Sequence, residues 1–137
     1  MLVSLAIAAA ALVLDQLTKY WAQTSLQAAG DIPLWEGVFH FHYARNTGAA
    51  FSMLEGHNWL FFIFTVVVVA GMGWYLFRHR RDMHPLLRVA LGLVIGGALG
   101  NFIDRVTLGY VVDFLYFKLI NFAIFNVADS ALVIGCI

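Results

Sequence analysis

Asp113 and Asp129 are the two residues of this chain hardest to explain as structure alone. Asp113 is flanked by Val111, Val112, Phe114 and Leu115 and has no basic neighbour in sequence. Asp129 follows Asn126 by one helical turn in the apolar run FNVADS. Two carboxylates brought together in a low-dielectric site do not both ionise readily, so one keeps a proton and the pair titrates as a unit. The ionised member can then take a proton from water while the protonated member polarises a carbonyl, which is the chemistry of an aspartic peptidase. The soluble D-T/S-G motifs are absent, so spacing alone leaves this reading open.

Several other polar residues compete for attention. Asp15 and Lys19, four apart, suit either an ion pair along one helix face or a substrate contact. Asn101 and Asp104 share a helix face, and Asp104 can cap or pair with Arg105 as well as act chemically. Arg105 is either an interfacial anchor or a holder of a substrate carbonyl. Asn46 before Gly48 has the chemistry of a turn. His40 and His42 read as the wet face of a strand. No HExxH or Cys/His spacing occurs, so neither a zinc site nor any other cofactor is expected. The single cysteine, Cys136, reads as a small buried hydrophobe and has no partner for an internal disulfide.

The composition says what must position these groups. The 137 residues are 62% hydrophobic and 12% charged, with a mean hydropathy of +0.83; soluble domains carry about 25% charged residues. The chain therefore reads as a single integral membrane α-helical domain, and zero net charge argues against a nucleic-acid partner. Four transmembrane helices are predicted, at about 2–22, 59–77, 86–103 and 121–137. Asp15 and the lack of Lys or Arg before Lys19 favour a retained first span over a signal peptide, with Tyr20 and Trp21 as interfacial anchors. The fourth span is short and no basic stop follows it, so the chain is expected to continue beyond Ile137. A β-rich outer segment is predicted at about 31–55, with alternation at 38–43 (VFHFHY) marking a strand. A small β-sheet on the membrane surface fits it. A second outer loop covers about 104–120.

Gly92, Gly96 and Gly100 recur every four residues, a pattern for close helix packing; their smooth face is also a candidate path for a substrate helix. Arg78, Arg80, Arg81 and Arg88 crowd the link between spans two and three, which the positive-inside rule places in the cytoplasm. Both termini then lie inside and both polar loops outside. Asp15, Asp104, Asp113 and Asp129 converge on one outer interface. Because no acid lies deep in spans two or three, a proton path across the membrane is disfavoured against a surface reaction. A non-enzymatic assembly factor, with the acids as helix glue, is the other rival; it predicts that Asp113→Asn damages folding as much as activity.

Five motifs occur in order: DQLTK (15–19), NTGAAF (46–51), GNFIDR (100–105), VVDF (111–114) and FNVADS (125–130). Together they resemble the lipoprotein signal peptidase, or signal peptidase II, family over most of the chain. The resemblance implies an aspartyl endopeptidase of the bacterial inner (cytoplasmic) membrane, with four spans and its site facing the periplasm. It implies removal of the signal peptide from diacylglyceryl-modified prolipoproteins just before the lipidated cysteine, by water and without a covalent intermediate. By motif position it makes Asp113 and Asp129 the catalytic pair. Asp15, Asn46, Gly48, Asn101, Arg105 and Asn126 become substrate-binding residues, with Lys19 and Asp104 as structural support. It also implies inhibition by the cyclic peptide globomycin. Membrane lipid is an expected partner, and a monomer is expected. Family members usually carry polar or basic flanks before the first span and after the fourth; those charges are absent here.

Overall fold

The computed structural model describes residues 1–48 and 55–137. No glycine or proline interrupts residues 2–29, so the first helix has nothing to stop it at the membrane surface. Helix α1 (Leu2–Trp21) runs on through a π-helical stretch (Ala22–Leu26) into a last turn, α2 (Gln27–Ala29). It ends at Gly30, whose φ of +84° suits glycine alone. The span predicted at 2–22 thus continues outward by about two turns, and Ala22 and Leu26 of that extension are fully buried.

Strand β1 (Asp31–Trp35) and β2 (Phe39–Asn46) form an antiparallel hairpin. The expected strand at 38–43 is therefore real and longer. The part of the expected β-rich segment at 49–54, with the end of the NTGAAF motif, lies outside the described residues. Helix α3 (Asn58–Arg78) and α4 (Pro85–Thr107) follow. Pro85 sits in the first turn of α4, where its missing N–H costs nothing, and His84 caps that end by accepting the Leu86 N–H. Because α4 extends to Thr107, Asp104 and Arg105 belong to the helix rather than to an outer loop.

The expected loop at 104–120 is also corrected further on. Gly109, at φ +81°, turns the chain into strand β3 (Val111–Phe117), which pairs antiparallel with β2 to give the order β1-β2-β3. Its β-branched and aromatic content (VVDFLYF) suits a strand. A 3-10 turn (Lys118–Ile120) then reverses the chain, and Phe125 bridges back to Leu115. Helix α5 spans only Val127–Cys136, about 15 Å at 1.5 Å per residue. It is thus shorter than the 121–137 expected.

Helix α1, with its extension, α3 and α4 are long and apolar enough to cross a membrane. Their outward residues (Val13, Leu17, Ile63, Val67, Trp74 and Leu86) are exposed and apolar, as lipid contact requires. Helix α4 is the hub, and its glycines explain why. A Cβ on Gly92 would lie 2.6 Å from the Ser4 carbonyl, and one on Gly96 would lie 2.6 Å from that of Ala8. On Gly97 it would lie 2.5 Å from the carbonyl of Ala128. Backbones of α1 and α5 therefore rest directly on α4. The smooth face is occupied by α1, which overturns its reading as a path for substrate. Helix α3 touches the bundle more lightly; Leu76 is its one buried residue. Cys136, expected in the core, is exposed near the end of α5.

The outer core joins sheet to helix. Ala22, Leu26, Val112 and Phe114 are buried together, and Trp21 meets Phe41 and Phe114 edge-on at 5.3 and 6.1 Å. Trp21 is thus a packing residue as well as a marker of the interface, whereas Tyr20 is exposed. His40 departs from its expected place on a wet face. It is buried, with Nδ1 2.5 Å from the Asp31 carboxylate and Nε2 accepting the Gly37 N–H at 3.1 Å. The alternation itself holds, with Phe41 and Tyr43 on the core and both histidines on the other face beside Asp31; His40 is covered there by the hairpin turn that it binds. His42 stays exposed.

Candidate active site

The polar residues gather in two layers at the outer end of the bundle. The inner layer is an ion cluster. Lys19 Nζ lies 2.8 Å from Asp15 and 3.2 Å from Asp104, and donates to Asn101 Oδ1 at 3.0 Å. All three charged side chains are at most 4% exposed. Asp15 also accepts the backbone N–H of Ala128 at 2.9 Å, which ties α1 to the first turn of α5. Asp104 accepts the Val112 N–H at 2.9 Å, tying α4 to β3. Gln16 donates to Asp15, to Asp104 and to the Gly100 carbonyl. Asp15 is thus enclosed by structural partners rather than open to a substrate. Asp104 pairs with Lys19, not with Arg105 as the sequence allowed.

The outer layer holds Asp113 and Asp129, and Asn126 organises it. Asn126 is fully buried and is the N-cap of α5. Its side chain accepts the Asp129 N–H at 2.9 Å while Asp129 Oδ2 accepts the Asn126 N–H at 3.1 Å, a capping box. The Asn126 amide also donates to Asp113 Oδ1 at 2.8 Å and to Asn101 Oδ1 at 3.1 Å. Asn101 in turn donates to Asp129 Oδ1 at 2.7 Å. One asparagine therefore holds both carboxylates, from β3 and from α5, and a second braces it from α4.

Asp113 is held from its other side by Asn46, which donates to Oδ2 at 3.1 Å. Asn46 is at the end of β2, and its Oδ1 accepts the Gly48 N–H at 2.9 Å, so the turn chemistry is present as well. Arg105 closes the ring by donating to the Gly48 carbonyl at 3.0 Å. Its guanidinium lies 4.2 Å from the centroid of Phe61, a cation–π contact with α3. Burial, with the Asp129 carboxylate beside it, pushes the Asp113 carboxyl up to about 7; the amides of Asn46 and Asn126 and the charge of Lys19 oppose that rise.

Asp129, Asn101 and Arg105 form the polar end of a cleft of about 690 Å³ between α3 and α5, floored by α4. Its walls are apolar: Phe61, Phe64 and Val68 on one side, Leu132, Val133 and Ile134 on the other, with Phe122 and Phe125 at the rim. The gap follows from the light packing of α3. Gln16 and Phe61 were not singled out in the sequence. Gln16 lies inside the DQLTK motif, where a polar side chain in an apolar helix is a signal; Phe61 is one aromatic among many and gives none.

Membrane-length helices that carry a buried carboxyl, Asp113, beside a half-buried one, Asp129, fit a membrane-embedded enzyme of aspartic-peptidase type. The family model described as Signal peptidase (SPase) II matches residues 7–137, and the chain belongs to that family. It is 46% identical to the lipoprotein signal peptidase of Symbiobacterium thermophilum, over 98% of this chain and 89% of that protein. It is 49% identical to that of Brevibacillus brevis, over 94% and 86%. A solved bacterial membrane enzyme superposes with a TM-score of 0.88 at 36% identity, over 97% of this chain and 82% of that one.

Proposed function

We propose that this peptidase removes signal peptides from diacylglyceryl-modified prolipoproteins, cutting just before the lipidated cysteine, with Asp113 and Asp129 activating one water. The observation that carries the reading is Asn126, which holds the Asp113 carboxyl through its side-chain amide and the Asp129 carboxyl through its backbone N–H, beside an otherwise apolar cleft whose polar end Asp129 lines. A lipid-bearing substrate needs that combination: apolar walls for its signal helix and acyl chains, and a wet end for the peptide bond.

Each carboxyl accepts two N–H groups, Asp113 from Asn46 and Asn126 and Asp129 from Asn101 and Asn126, and we assign the ionised role to Asp129 because it is the less enclosed of the two and lines the cleft. Asp113 holds the shared proton at neutral pH and below. Asp129 deprotonates the water as it attacks the carbonyl carbon, and Asp113 gives its proton to the carbonyl oxygen. The proton on Asp129 then passes to the leaving amine as the C–N bond breaks, and Asp113 takes back a hydroxyl proton of the gem-diol as the new carboxyl forms. Arg105, with Gly48 and Asn46, holds β2 against the pair, and Asn101 braces it from α4. Asp15, Lys19 and Asp104 secure α1, α4, β3 and α5 around it.

The whole chain acts as one peptidase domain in the bacterial cytoplasmic membrane. The basic link at Arg78, Arg80 and Arg81 lies inside, the site lies outside, and α5 forms the outer part of a fourth span. A globomycin-type cyclic peptide would fill the same cleft mouth. The test is a gel-shift assay of a diacylglyceryl-modified prolipoprotein with purified protein, with Asp113→Asn and Asp129→Asn alongside and thermal unfolding recorded for each. Folded, inactive variants are expected. Near-normal cleavage by either one removes that residue from the mechanism, and joint loss of folding and activity favours acids that serve only as helix glue.

A further inference from the structure

Helix α3 borders the cleft along its outer half, and one of its side chains reaches past the apolar wall to the polar end. Toward the inner end of the helix, Leu76 is buried in a cluster with Ala8 and Ile95. Three contacts hold the outer end. Asn58 Nδ2 donates to the Gly109 carbonyl at 3.0 Å, and Phe62 meets Phe102 edge-on at 5.5 Å. Both of these join α3 to backbone or to apolar surface. The third is the Phe61 ring, whose centroid lies 4.2 Å from the Arg105 guanidinium.

The surroundings of Arg105 give that ring its weight. Among the described residues no carboxylate pairs with the guanidinium, and Nε is buried without an acceptor. Two carbonyls accept from the side chain, Gly48 at 3.0 Å and Asn101 at 3.4 Å. The second bond is long and weak. The face of Phe61 is therefore a principal attraction on a cation partly withdrawn from water, where such a contact is stronger than on an exposed surface. What Arg105 holds is relayed onward by short bonds. The Gly48 N–H donates to Asn46 Oδ1 at 2.9 Å, and Asn46 Nδ2 donates to Asp113 Oδ2 at 3.1 Å. The run from Phe61 through Arg105, Gly48 and Asn46 to Asp113 has no gap.

We propose that Phe61 is a positioning residue for the cleavage reaction: its ring sets the Arg105 guanidinium and, through Gly48 and Asn46, the orientation of the Asp113 carboxyl. The inference rests on the reading of Asp113 as one of the reacting pair. Phe61 also lines the cleft, so the rival is an apolar wall and nothing more. A wall needs volume, which leucine or methionine supplies, and its loss weakens substrate binding. A positioning ring needs its π face, and its loss slows the reaction of bound substrate.

Phe61→Leu, Phe61→Met and Phe61→Tyr are compared with the parent chain in detergent, with kcat and KM measured on a diacylglyceryl-modified prolipoprotein and thermal unfolding recorded for each. Leucine and methionine are expected to lower kcat about tenfold, the size that a half-buried cation–π contact supports, and to leave KM within about twofold. Tyrosine, which keeps the ring face, is expected to restore most of the rate. A raised KM with kcat retained would overturn the proposal and leave Phe61 as a wall. Tyrosine as slow as leucine would overturn it as well. A second measurement needs no substrate. In protein labelled with 15N-arginine, the Nε–Hε resonance of Arg105, assigned by its absence in Arg105→Gln, is expected to be displaced by the ring current in the parent and in Phe61→Tyr. It should move back toward the other arginines in Phe61→Leu and Phe61→Met; a resonance that does not move overturns the contact itself. Asp113→Asn is run beside them. Normal cleavage by that variant, with the ring-current displacement present, would instead defeat the assignment of Asp113 and the relay with it, while leaving the Phe61–Arg105 contact in place.

Discussion

Replacing Asn126 should separate a structural cap from a catalytic clamp, because the residue is both. In Asn126→Ala the Asp129 N–H loses its acceptor, and loss of such a cap costs about 1 kcal/mol. Asp113 Oδ1 loses a buried donor as well, whereas Asn101 Oδ1 keeps the Lys19 ammonium. A buried group left unsatisfied costs about 1–3 kcal/mol. The sum is about 2–4 kcal/mol of stability. Asn126→Ser keeps an oxygen able to cap the helix and loses only the amide bonds, so it should recover about 1 kcal/mol of that loss. Both variants should cleave a lipidated prolipoprotein at least about 100-fold more slowly, since a carboxylate released from its holder drifts by an ångström or so from a productive position. Chemical unfolding in detergent and initial cleavage rates, measured on the same preparations, check both numbers. An Asn126→Ala protein within 1 kcal/mol of the parent, cleaving within threefold of it, would refute the claim that one asparagine holds the pair.

Four further outcomes follow from the same geometry. Lys19→Met leaves Asp15 and Asp104 buried without their shared cation, and should cost about 3–5 kcal/mol in unfolding experiments. Cleavage should fall as pH rises through about 7, because Asp113 then loses the proton it donates. Folding raises this carboxyl from its ordinary 3.8, so the folded chain binds the extra proton between those values and this group makes stability decline as pH rises across that window. Asn46→Ala, which removes a donor to the ionised form, should move the alkaline limb of a kcat/KM profile upward. Gly96→Leu should lower thermal stability by forcing α1 off α4, by at least the ~1–3 kcal/mol typical of overpacking. Gly71→Ala, with nothing within 4 Å of the new Cβ, should leave stability unchanged or slightly raised; equal behaviour of the two glycines would contradict the packing.

The spans and the meeting of the acids were legible in the sequence because both follow from local composition. Apolar runs give the helices, and counting the spans brings Asp15, Asp104, Asp113 and Asp129 to one end. Strand β3 was harder to read, since seven residues of aromatic and β-branched character suit a loop or a strand equally until a partner is known. The partner of Asp104 was illegible for a related reason. Arg105 is adjacent in sequence, but neighbours one apart on a helix diverge by about 100°, whereas Lys19 reaches Asp104 only because the Gly-rich face lets α1 approach α4. The cleft was equally hidden: it exists because α3 packs lightly, and no property of its own sequence announces that.

The division of labour among the four acids follows from how the cations are spent. Two buried or half-buried cations face four carboxyls. Lys19 sits in direct contact with Asp15 and Asp104, and each of those acids also accepts a backbone N–H. Arg105 is committed to the Gly48 and Asn101 carbonyls and to the face of Phe61. Among the described residues, Asp113 and Asp129 are left with amide donors and no contacting cation. Amides orient a carboxyl without neutralising it, so the charge of this pair is most readily reduced by a proton held between its members. In the proposed mechanism that contrast is what makes the pair reactive and the other two acids structural, although all four lie at the same end of the bundle. The criterion is the nature of the contacts rather than burial, since Asp15 and Asp104 are as deeply enclosed as Asp113.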